Sequence, residues 1–352
     1  MISSIRHVKQ SSNYETEWRR YAAAFLSAAK AKKLSQDDID ACLQYAKPLT
    51  LGGFPVIYDT DHFCGLVGYT PHYVLGAIKS TDRYYRQFSI KKKSGGDRTI
   101  LEPLPSLKEI QHWILRNVLE RVAIHRAAKA FQKGTSIRDN ARFHRGQACV
   151  LTIDIKDFFP SIGINRVFSV YHRIGYSKQI SSLLADLSCF ELSLPQGAPT
   201  SPYISNLICR SLDERFFAYA RSAKLRYTRY ADDLTFSGAD IGSSFVSNAY
   251  EIIREYGFEP NLSKTRLLRQ HQKQMVTGVV VNSKLQADRA LRRQIRQYAY
   301  YIERFGLEGH AAATSVQRRN FERHLMGLAQ FVCSLNPYDR DARNLIELLK
   351  ID

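Results

Sequence analysis

Alternating apolar and polar positions make the middle third of the chain its richest source of strand signals. Residues 148–155 form a strongly apolar run, and residues 225–230 and 234–236 form shorter runs rich in β-branched and aromatic side chains. Because the two shorter runs meet at the acidic pair Asp232–Asp233, we predict a tight hairpin that holds both carboxylates at its tip. A plain turn is the alternative interpretation, since turns often use aspartate.

Helical spacing and capping residues predict helices on both sides of this region. Residues 1 to about 50 are expected to be helical, with Ser35 as the cap of the helix that follows it. Ser106 is expected to cap an amphipathic helix that runs through Arg121. Between them, the basic stretch from Phe88 to Pro103 is predicted to be a hairpin. The remaining predicted elements are a helix from about 202 to about 223, a helix through 256 and an apolar strand from Met275 to Val281.

The segment from about residue 282 onward is predicted to be helical and basic. Its apolar residues follow helical spacing and form one stripe, which consists of Leu291, Ile295, Tyr298, Ile302 and Phe305. Arg289, Arg293 and Arg296 fall on the opposite face of the same helix. A solvated charged face and a nucleic-acid contact are both open interpretations of these arginines.

Charge narrows the class of partner. The 352 residues include 51 Lys and Arg against 33 Asp and Glu, which gives a net charge of +18, and 44% of them are hydrophobic. This composition is typical of a globular protein with a polyanionic partner, because each neutralised phosphate releases condensed counterions. No stretch has the apolar length of a transmembrane helix, so we expect nucleic acid and not a membrane as the partner.

The spacing of the six cysteines excludes the usual metal and disulfide patterns. No CxxC pair occurs among Cys42, Cys64, Cys149, Cys189, Cys209 and Cys333. The histidines show no HExxH or similar ligand spacing, so no transition-metal site is expected. The thiols are predicted to be small buried groups in the reducing cytoplasm.

A third carboxylate changes the interpretation of the acidic hairpin. Asp154 lies near the end of the first apolar run, where an isolated aspartate would usually just end a strand. With Asp232 and Asp233 it supplies what a two-metal site needs, since two cations about 4 Å apart clamp the attacking and leaving oxygens of phosphoryl transfer. We therefore expect two Mg²⁺ ions, which prefer oxygen ligands and share phosphates. Asp157 is left out because strand spacing would point it away from Asp154.

Several other residues are candidates for contacting a nucleotide. Lys92, its two lysine neighbours and Arg98 flank a Gly-Gly turn, which suits a mobile clamp on a triphosphate. The Pro-Gln196-Gly turn would present an amide to the nucleotide or template, and Lys264 would donate to the leaving pyrophosphate. One of Phe158 and Phe159 would wall the sugar pocket and clash with a ribose 2′-hydroxyl. The alternatives are a charged surface hairpin, a plain loop, an exposed lysine and two core phenylalanines.

Taken in order, these motifs resemble the palm motifs of reverse transcriptases. They are Asp154-Ile-Lys-Asp-Phe-Phe-Pro-Ser, Leu-Pro-Gln196-Gly-Ala-Pro-Thr-Ser-Pro, Tyr-Ala-Asp232-Asp233 and Leu-Ser-Lys264-Thr. The resemblance runs from about Gly65 to Asn282. It implies an α+β right-hand polymerase with fingers, a palm built on an antiparallel sheet with packed helices, and a helical thumb. The expected division is an N-terminal helical extension at 1–55, fingers at 56–147, palm at 148–282 with part of the fingers between its motifs, and thumb at 283–352.

Two further elements resemble bacterial retron reverse transcriptases in particular. Asn140-Ala-Arg-Phe-His144 is similar to their NAxxH element, and Val276-Thr277-Gly278 is similar to their VTG element. The sequence departs from group II intron enzymes in that we expect no long C-terminal maturase or zinc-endonuclease extension. A group II intron-like or other bacterial reverse transcriptase remains the alternative enzyme. An RNA–DNA binding scaffold that restrains an effector is the alternative from another class.

The resemblance implies a role for each matched position. It makes Asp154, Asp232 and Asp233 the metal-binding catalytic triad. The residues that it implies at the nucleotide are Lys92 and Arg98 as the triphosphate clamp, Phe159 as the gate against ribose, Gln196 as a nucleotide contact and Lys264 as an aid to pyrophosphate departure. The residues that it implies at the nucleic acid are Asn140 to His144 as an RNA-contacting element and Val276 to Asn282, including Thr277 and Gly278, as the primer grip.

The resemblance also implies a reaction. A retron enzyme is expected to use deoxynucleoside triphosphates to copy part of its cognate structured noncoding RNA into single-stranded DNA. It is expected to start from an internal guanosine 2′-hydroxyl, which leaves a branched RNA–DNA hybrid. Host RNase H would trim the template, and an effector protein would act beside the enzyme in antiphage defence.

Overall fold

The structure is a computed structural model that describes residues 12–91, 95–313 and 320–350. The α-helices are α1 Ser12–Ala31, α2 Gln36–Leu51, α3 Thr60–Val67, α4 Pro71–Lys79, α5 Pro105–Asn117, α6 Ile137–Phe143, α7 Ile164–Ile174, α8 Lys178–Ser188, α9 Ser201–Ile208, α10 Arg210–Ser222, α11 Ser243–Glu255, α12 Arg289–Ala313, α13 Phe321–Leu335 and α14 Arg340–Leu348. The strands are β1 Tyr85–Lys91, β2 Asp97–Pro103, β3 Cys149–Ile155, β4 Arg226–Tyr230, β5 Asp233–Gly238, β6 Pro260–Arg269, β7 Met275–Val276, β8 Val279–Val280 and β9 Gln286–Ala287.

The chain forms two compact units, and each is built from two separate stretches of sequence. The first unit comprises residues up to 126 together with 156–214, and the second comprises 127–155 together with 215 onward. The sequence-based division into extension, fingers, palm and thumb is a functional one and stays a prediction.

The second unit contains a four-stranded antiparallel sheet with the strand order β4-β5-β3-β6. β3 is a central strand with five of its seven residues buried, which explains why most of its sequence is apolar. The ring of Phe236 on β5 meets Phe245 on α11 edge to face at 5.2 Å. The acidic ends of β3 and β5 remain half-buried.

A second cluster of buried side chains joins α6, the β7-β8-β9 sheet and the helices α12, α13 and α14. Ile295 and Ile302 of the predicted stripe are buried in it, and Leu291 and Tyr298 pack against it. Phe305, the last residue of the stripe, is not part of the buried face, because it is 57% exposed. Gly306 has non-helical dihedral angles directly after it, so the helix bends where the stripe would continue.

The first unit contains the β1-β2 hairpin and most of the N-terminal helices. The predicted cap at Ser35 is confirmed, since its side chain accepts a hydrogen bond from the Asp38 amide. The predicted cap at Ser106 is wrong, because α5 begins one residue earlier, at Pro105, a position that needs no amide donor. That helix also ends at Asn117, and a 3₁₀ turn occupies the residues up to Arg121.

Two further boundaries differ from the predictions made from sequence. β6 was not predicted, because its alternating residues include Ser263, Lys264 and Arg266, which are polar or charged at the exposed edge of the sheet. The predicted strand from Met275 to Val281 is two short strands joined by a turn at Thr277 and Gly278, which have φ of 47° and 81°. Backbone in this left-handed region interrupts an extended strand.

All six cysteines have free thiols, and four of them are buried. The prediction of small buried groups is confirmed for these four, whereas Cys42 and Cys333 are only partly buried. Among the helices in the described ranges, none combines the length and the apolar character that crossing a bilayer requires.

Candidate active site and nucleic-acid interface

The predicted acidic hairpin is present and is tied to the strand that carries Asp154. β4 and β5 pair up to Tyr230 and Asp233, so that only Ala231 and Asp232 form the connection. The Asp232 carbonyl accepts a hydrogen bond of 3.0 Å from the Ile155 amide. This bond anchors the tip of the hairpin against the end of β3.

Strand register brings the three predicted carboxylates together. Asp154 is the direct partner of Asp233 across the β3–β5 pair, which places their Cα atoms about 5 Å apart. Asp232 lies immediately before Asp233, in the connection between β4 and β5. The sequence separates Asp154 from the pair by more than 70 residues, and antiparallel pairing alone makes them neighbours.

Electrostatic strain is concentrated on Asp233. Burial, and then the nearby carboxylates of Asp232 and Asp154, raise its pKa to about 7, and the ammonium group of Lys264 acts in the opposite direction. Like charges in a half-buried site resist joint ionisation, and a bound cation would relieve that resistance. The site therefore has the electrostatics of a cation site.

Lys264 and Asn261 hold the carboxylate of Asp154. The Lys264 Nζ atom lies 3.0 Å from Asp154 Oδ1, and Asn261 Nδ2 donates to the same oxygen over 3.1 Å. Asn261 is directly opposite Asp154, whereas the register of β6 shifts between its Asn261 and Arg266 pairings. This bulge lets two residues three apart in a strand reach one carboxylate, which regular strand spacing would prevent.

The donor set fits a divalent cation held by oxygen ligands. Three carboxylates lie on neighbouring positions, and the pKa of one of them, Asp233, is raised by its burial and then by the other two. Within the described ranges, no three ligand side chains are already gathered around a metal-sized space. Asp154 instead directs Oδ1 at Lys264 and Asn261, so the lysine supplies positive charge at this carboxylate.

The candidate nucleotide residues Gln196 and Arg98 lie in the first unit and are linked through β2. The Gln196 carbonyl accepts a 2.9 Å hydrogen bond from the Leu101 amide, three residues beyond Arg98. Gly197 has φ of 136°, and a Cβ atom there would lie 2.6 Å from the Leu101 carbonyl oxygen. Only glycine allows this close approach of the loop to the strand.

The remaining nucleotide candidates have different outcomes. Arg98 is exposed on β2, and Lys92 lies outside the described residues. Phe158 is 4% exposed and belongs to the core, whereas Phe159 is half-buried and meets it at 5.3 Å between ring centroids. Asp157 does not follow the strand spacing predicted for it, since β3 ends before it and Asp157 has φ of 46° in a turn.

The structure contradicts the predicted RNA contacts of Asn140 and His144. Both side chains are 0% exposed. The imidazole of His144 lies between the hydroxyl groups of Thr228 and Ser237, and the Asn140 carbonyl oxygen accepts from Thr228. The predicted contact of Val276 is wrong for a similar reason, because its side chain is fully buried in the second cluster. Of the VTG element, only Thr277 and Gly278 reach the surface.

The predicted arginine face of α12 lines a groove of about 1030 Å³. The cationic residues of this groove are Lys273, Lys284, Arg289, Arg292, Arg293 and Arg296. Arg292 and Arg296 each donate to an aspartate, Asp339 and Asp341, over 2.9 Å. The sequence did not predict a place in this groove for Lys273, Lys284 and Arg292. The two lysines precede the helix, and Arg292 lies between its apolar and basic faces in helical spacing.

Comparison with known families identifies the class of protein. The family model described as reverse transcriptase (RNA-dependent DNA polymerase) matches residues 90–281. The matched range is more than half of the chain and includes all three aspartates, Gln196 and Lys264. The chain therefore belongs to the reverse transcriptase family and is an RNA-directed DNA polymerase, with the right-hand polymerase fold that the motifs implied.

The similar curated proteins are retron enzymes. The retron Ec86 reverse transcriptase of Escherichia coli is 39% identical over 230 residues, which cover 64% of this chain and 72% of that protein. The retron Mx162 and Mx65 reverse transcriptases of Myxococcus xanthus are 38% and 35% identical over 58% and 77% of this chain, and over 48% and 66% of their own lengths. Within the reverse transcriptases, the chain thus groups with those of retrons.

Among solved structures, the telomerase of Candida albicans in complex with a fragment of telomeric RNA aligns with a TM-score of 0.42 and 11% identity. The alignment covers 76% of this chain and 63% of that one. This likeness is too distant to support a functional argument.

Proposed function

We propose that this polymerase copies part of a cognate structured noncoding RNA into single-stranded DNA, with Asp154, Asp232 and Asp233 as its catalytic carboxylates. The observation that carries the proposal is the pairing of Asp154 with Asp233 beside Asp232 at the end of one antiparallel sheet. Three carboxylates so close together, one of them with a raised pKa, have little structural use unless a cation neutralises them.

Reverse transcriptases require a divalent metal ion in general. We propose two Mg²⁺ ions held by these carboxylates, which would supply Lewis-acid activation of the primer hydroxyl and charge neutralisation at the triphosphate. Lys264 is paired with Asp154 in the metal-free site, and with metal ions on the carboxylates its ammonium group would be able to donate to the pyrophosphate. Asn261 keeps the Asp154 carboxylate oriented through its own hydrogen bond.

Residues of the first unit are proposed to select and hold the deoxynucleotide. Arg98, with Lys92, would pair with the triphosphate, because guanidinium groups match phosphate geometry. Gln196 would contact the nucleotide from a loop that Gly197 fastens to β2. Phe159 is the half-buried member of its pair, which makes it the better candidate for the ribose gate.

The basic groove along α12 is proposed to bind the RNA and its RNA–DNA product. Arg289 and Arg293 are exposed there, and the chain has a net charge of +18. Thr277 and Gly278 would contact the primer from their turn. By family resemblance we extend the proposal to priming from an RNA 2′-hydroxyl, trimming of the template by host RNase H, and antiphage defence with an effector protein. The free thiols are consistent with work in the cytoplasm.

The central test compares two aspartate variants of the full-length protein purified with its co-expressed RNA. Asp232→Asn should abolish deoxynucleotide incorporation with Mg²⁺ and leave RNA affinity within about twofold, because one oxygen ligand loses its charge. Asp240→Asn is the matched control, since Asp240 is an exposed carboxylate just beyond the other end of β5. DNA synthesis by Asp232→Asn at the normal rate would remove the catalytic assignment.

The priming proposal is tested on the product of the unmodified protein. After ribonuclease digestion, the DNA should keep a ribonucleotide attached at its 5′ end through a 2′-linkage. A DNA product with a free 5′ end would contradict priming from the RNA, without affecting the assignment of the carboxylates.

A further inference from the structure

Four polar side chains, those of Asn140, Thr228, His144 and Ser237, form a linear chain of hydrogen bonds next to the acidic hairpin. Thr228 on β4 donates its hydroxyl proton to Asn140 Oδ1 over 2.6 Å. His144 Nε2 lies 2.7 Å from the same Thr228 oxygen, and His144 Nδ1 lies 2.7 Å from the Ser237 hydroxyl on β5. All four side chains are at most 1% exposed.

The chain of donors determines the tautomer of His144. A threonine hydroxyl has one proton, and Thr228 gives it to Asn140, so the bond to His144 needs a proton on Nε2. Nδ1 is then unprotonated and accepts from Ser237. Burial, with a smaller effect from the nearby Arg226, lowers the pKa of His144 to about 3. The ring therefore stays neutral, as these hydrogen bonds require.

The imidazole bridges the two strands of the hairpin diagonally. Thr228 pairs with Thr235, whereas Ser237 pairs with Arg226. The two hydroxyl groups that contact His144 therefore lie on different strands and two residues apart along the strand direction. Thr228 precedes Asp232 by four residues, and Ser237 follows Asp233 by four. A slip of one residue would turn every side chain of a strand to the other face, and this bridge opposes such a slip on both strands at once.

The hairpin tip needs this external support because its own backbone is strained. Ala231 has φ of 57°, a region that favours glycine. Asn140 extends the support to the neighbouring VTG turn, where its Nδ2 lies 3.4 Å from the hydroxyl of Thr277. Thr277 also has a positive φ, of 47°.

We propose that Asn140 and His144 are positioning residues that set the register of the β4–β5 hairpin, and hence the placement of Asp232 and Asp233. This inference rests on the proposed catalytic role of those two aspartates. Apolar residues would fill the same space without desolvating an amide and an imidazole, but they would not specify one register. The NAxxH element therefore acts through the catalytic hairpin from inside the protein.

The test uses a shape-matched pair of variants at Thr228. Thr228→Val keeps the branched shape but removes the hydroxyl that both Asn140 and His144 use, whereas Thr228→Ser keeps the hydroxyl. Thr228→Val should lower kcat by about ten- to a hundredfold, because small displacements of reacting groups have effects of that size. KM for deoxynucleotides and the dissociation constant for the RNA should stay within about twofold of wild type. Thr228→Ser should keep kcat within about threefold.

A second readout reports on the hydrogen-bond chain directly. With selective ¹⁵N-histidine labelling, and His144→Gln to assign the signal, His144 should show a protonated Nε2 and an unprotonated Nδ1 at pH 7. Ser237→Ala removes a single bond at the edge of the chain and is the milder variant, to be used if Thr228→Val does not fold. It should lower kcat in the same sense.

Three outcomes would overturn the proposal. They are full kcat in Thr228→Val or in a folded Ser237→Ala, a loss of RNA affinity in place of kcat, and a proton on Nδ1 of His144. The outcome of this test can be distinguished from the outcome of the test of the catalytic aspartates. If Asp232→Asn is inactive while Thr228→Val has full activity, only the positioning role fails.

Discussion

Acid should destabilise this protein through His144 more steeply than through an ordinary histidine. The pKa of this side chain falls from the usual 6.5 to about 3 because the ring is buried, and its two nitrogens are engaged by Thr228 and Ser237. The unfolded chain binds a proton below about pH 6.5, whereas the folded chain does so only near pH 3. Stability from the neutral ring is therefore complete above pH 6.5 and is lost progressively as the pH falls toward 3.

The magnitude follows from the two pKa values. Each pH unit within that window lowers the free energy of unfolding by about 1.4 kcal/mol. At pH 4 the protein should therefore have lost about 3 kcal/mol of stability through this residue alone. The assay is urea unfolding of wild type and His144→Gln at pH values from 7 to 4. Glutamine keeps a donor toward Thr228 but does not titrate, so other carboxylates and histidines cancel in the difference between the two free energies of unfolding.

The expected result is that the advantage of wild type over His144→Gln shrinks as the pH falls. At pH 7 wild type should be the more stable protein, since it has one more satisfied bond, to Ser237. By pH 4 the order should have reversed or the gap closed. A difference in free energy that does not change with pH would refute a buried neutral imidazole at this position.

Three further predictions concern the nucleotide and RNA sites. Phe159→Ala should lower the preference for deoxynucleotides over ribonucleotides by at least about tenfold in kcat/KM, as removal of a steric gate requires; unchanged sugar selectivity would move the gate elsewhere. Gly197→Ala should raise KM for deoxynucleotides by about tenfold or more, because the new Cβ would lie 2.6 Å from the Leu101 carbonyl oxygen and the loop must shift. Arg289→Gln with Arg293→Gln should weaken RNA binding and reduce the slope of log affinity against log salt by about 2; an unaltered slope would mean that neither guanidinium contacts a phosphate.

Local sequence determined the parts of this protein that depend on neighbouring residues. The alternating runs around Asp232 and Asp233 predicted a hairpin, and the structure has one. Ser35 caps its helix as predicted, and Ile295 and Ile302 lie on the buried face of α12 as helical spacing requires. The order of motifs also indicated a reverse transcriptase, which the family comparison confirms.

Tertiary structure decided which of the candidate residues face solvent and which meet across the sheet. Asn140 and His144 carry polar groups that suit an RNA contact, yet their hydrogen-bond partners lie 84 to 137 residues away in the sequence, and both side chains are fully buried. Local spacing contains no information about such partners. Burial of Val276 and exposure of Phe305 depend in the same way on how α12 bends and packs.

The surroundings of Asp154 show the same division. The sequence predicted its position at the end of an apolar strand and its similarity to a catalytic carboxylate. Its contacts with Asn261 and Lys264 span 107 and 110 residues and depend on a bulge in a strand that the sequence did not predict. A pattern of residues specifies the chemistry that a chain can supply, whereas strand register and bulges decide which groups share one site, because they arise from pairing between distant segments.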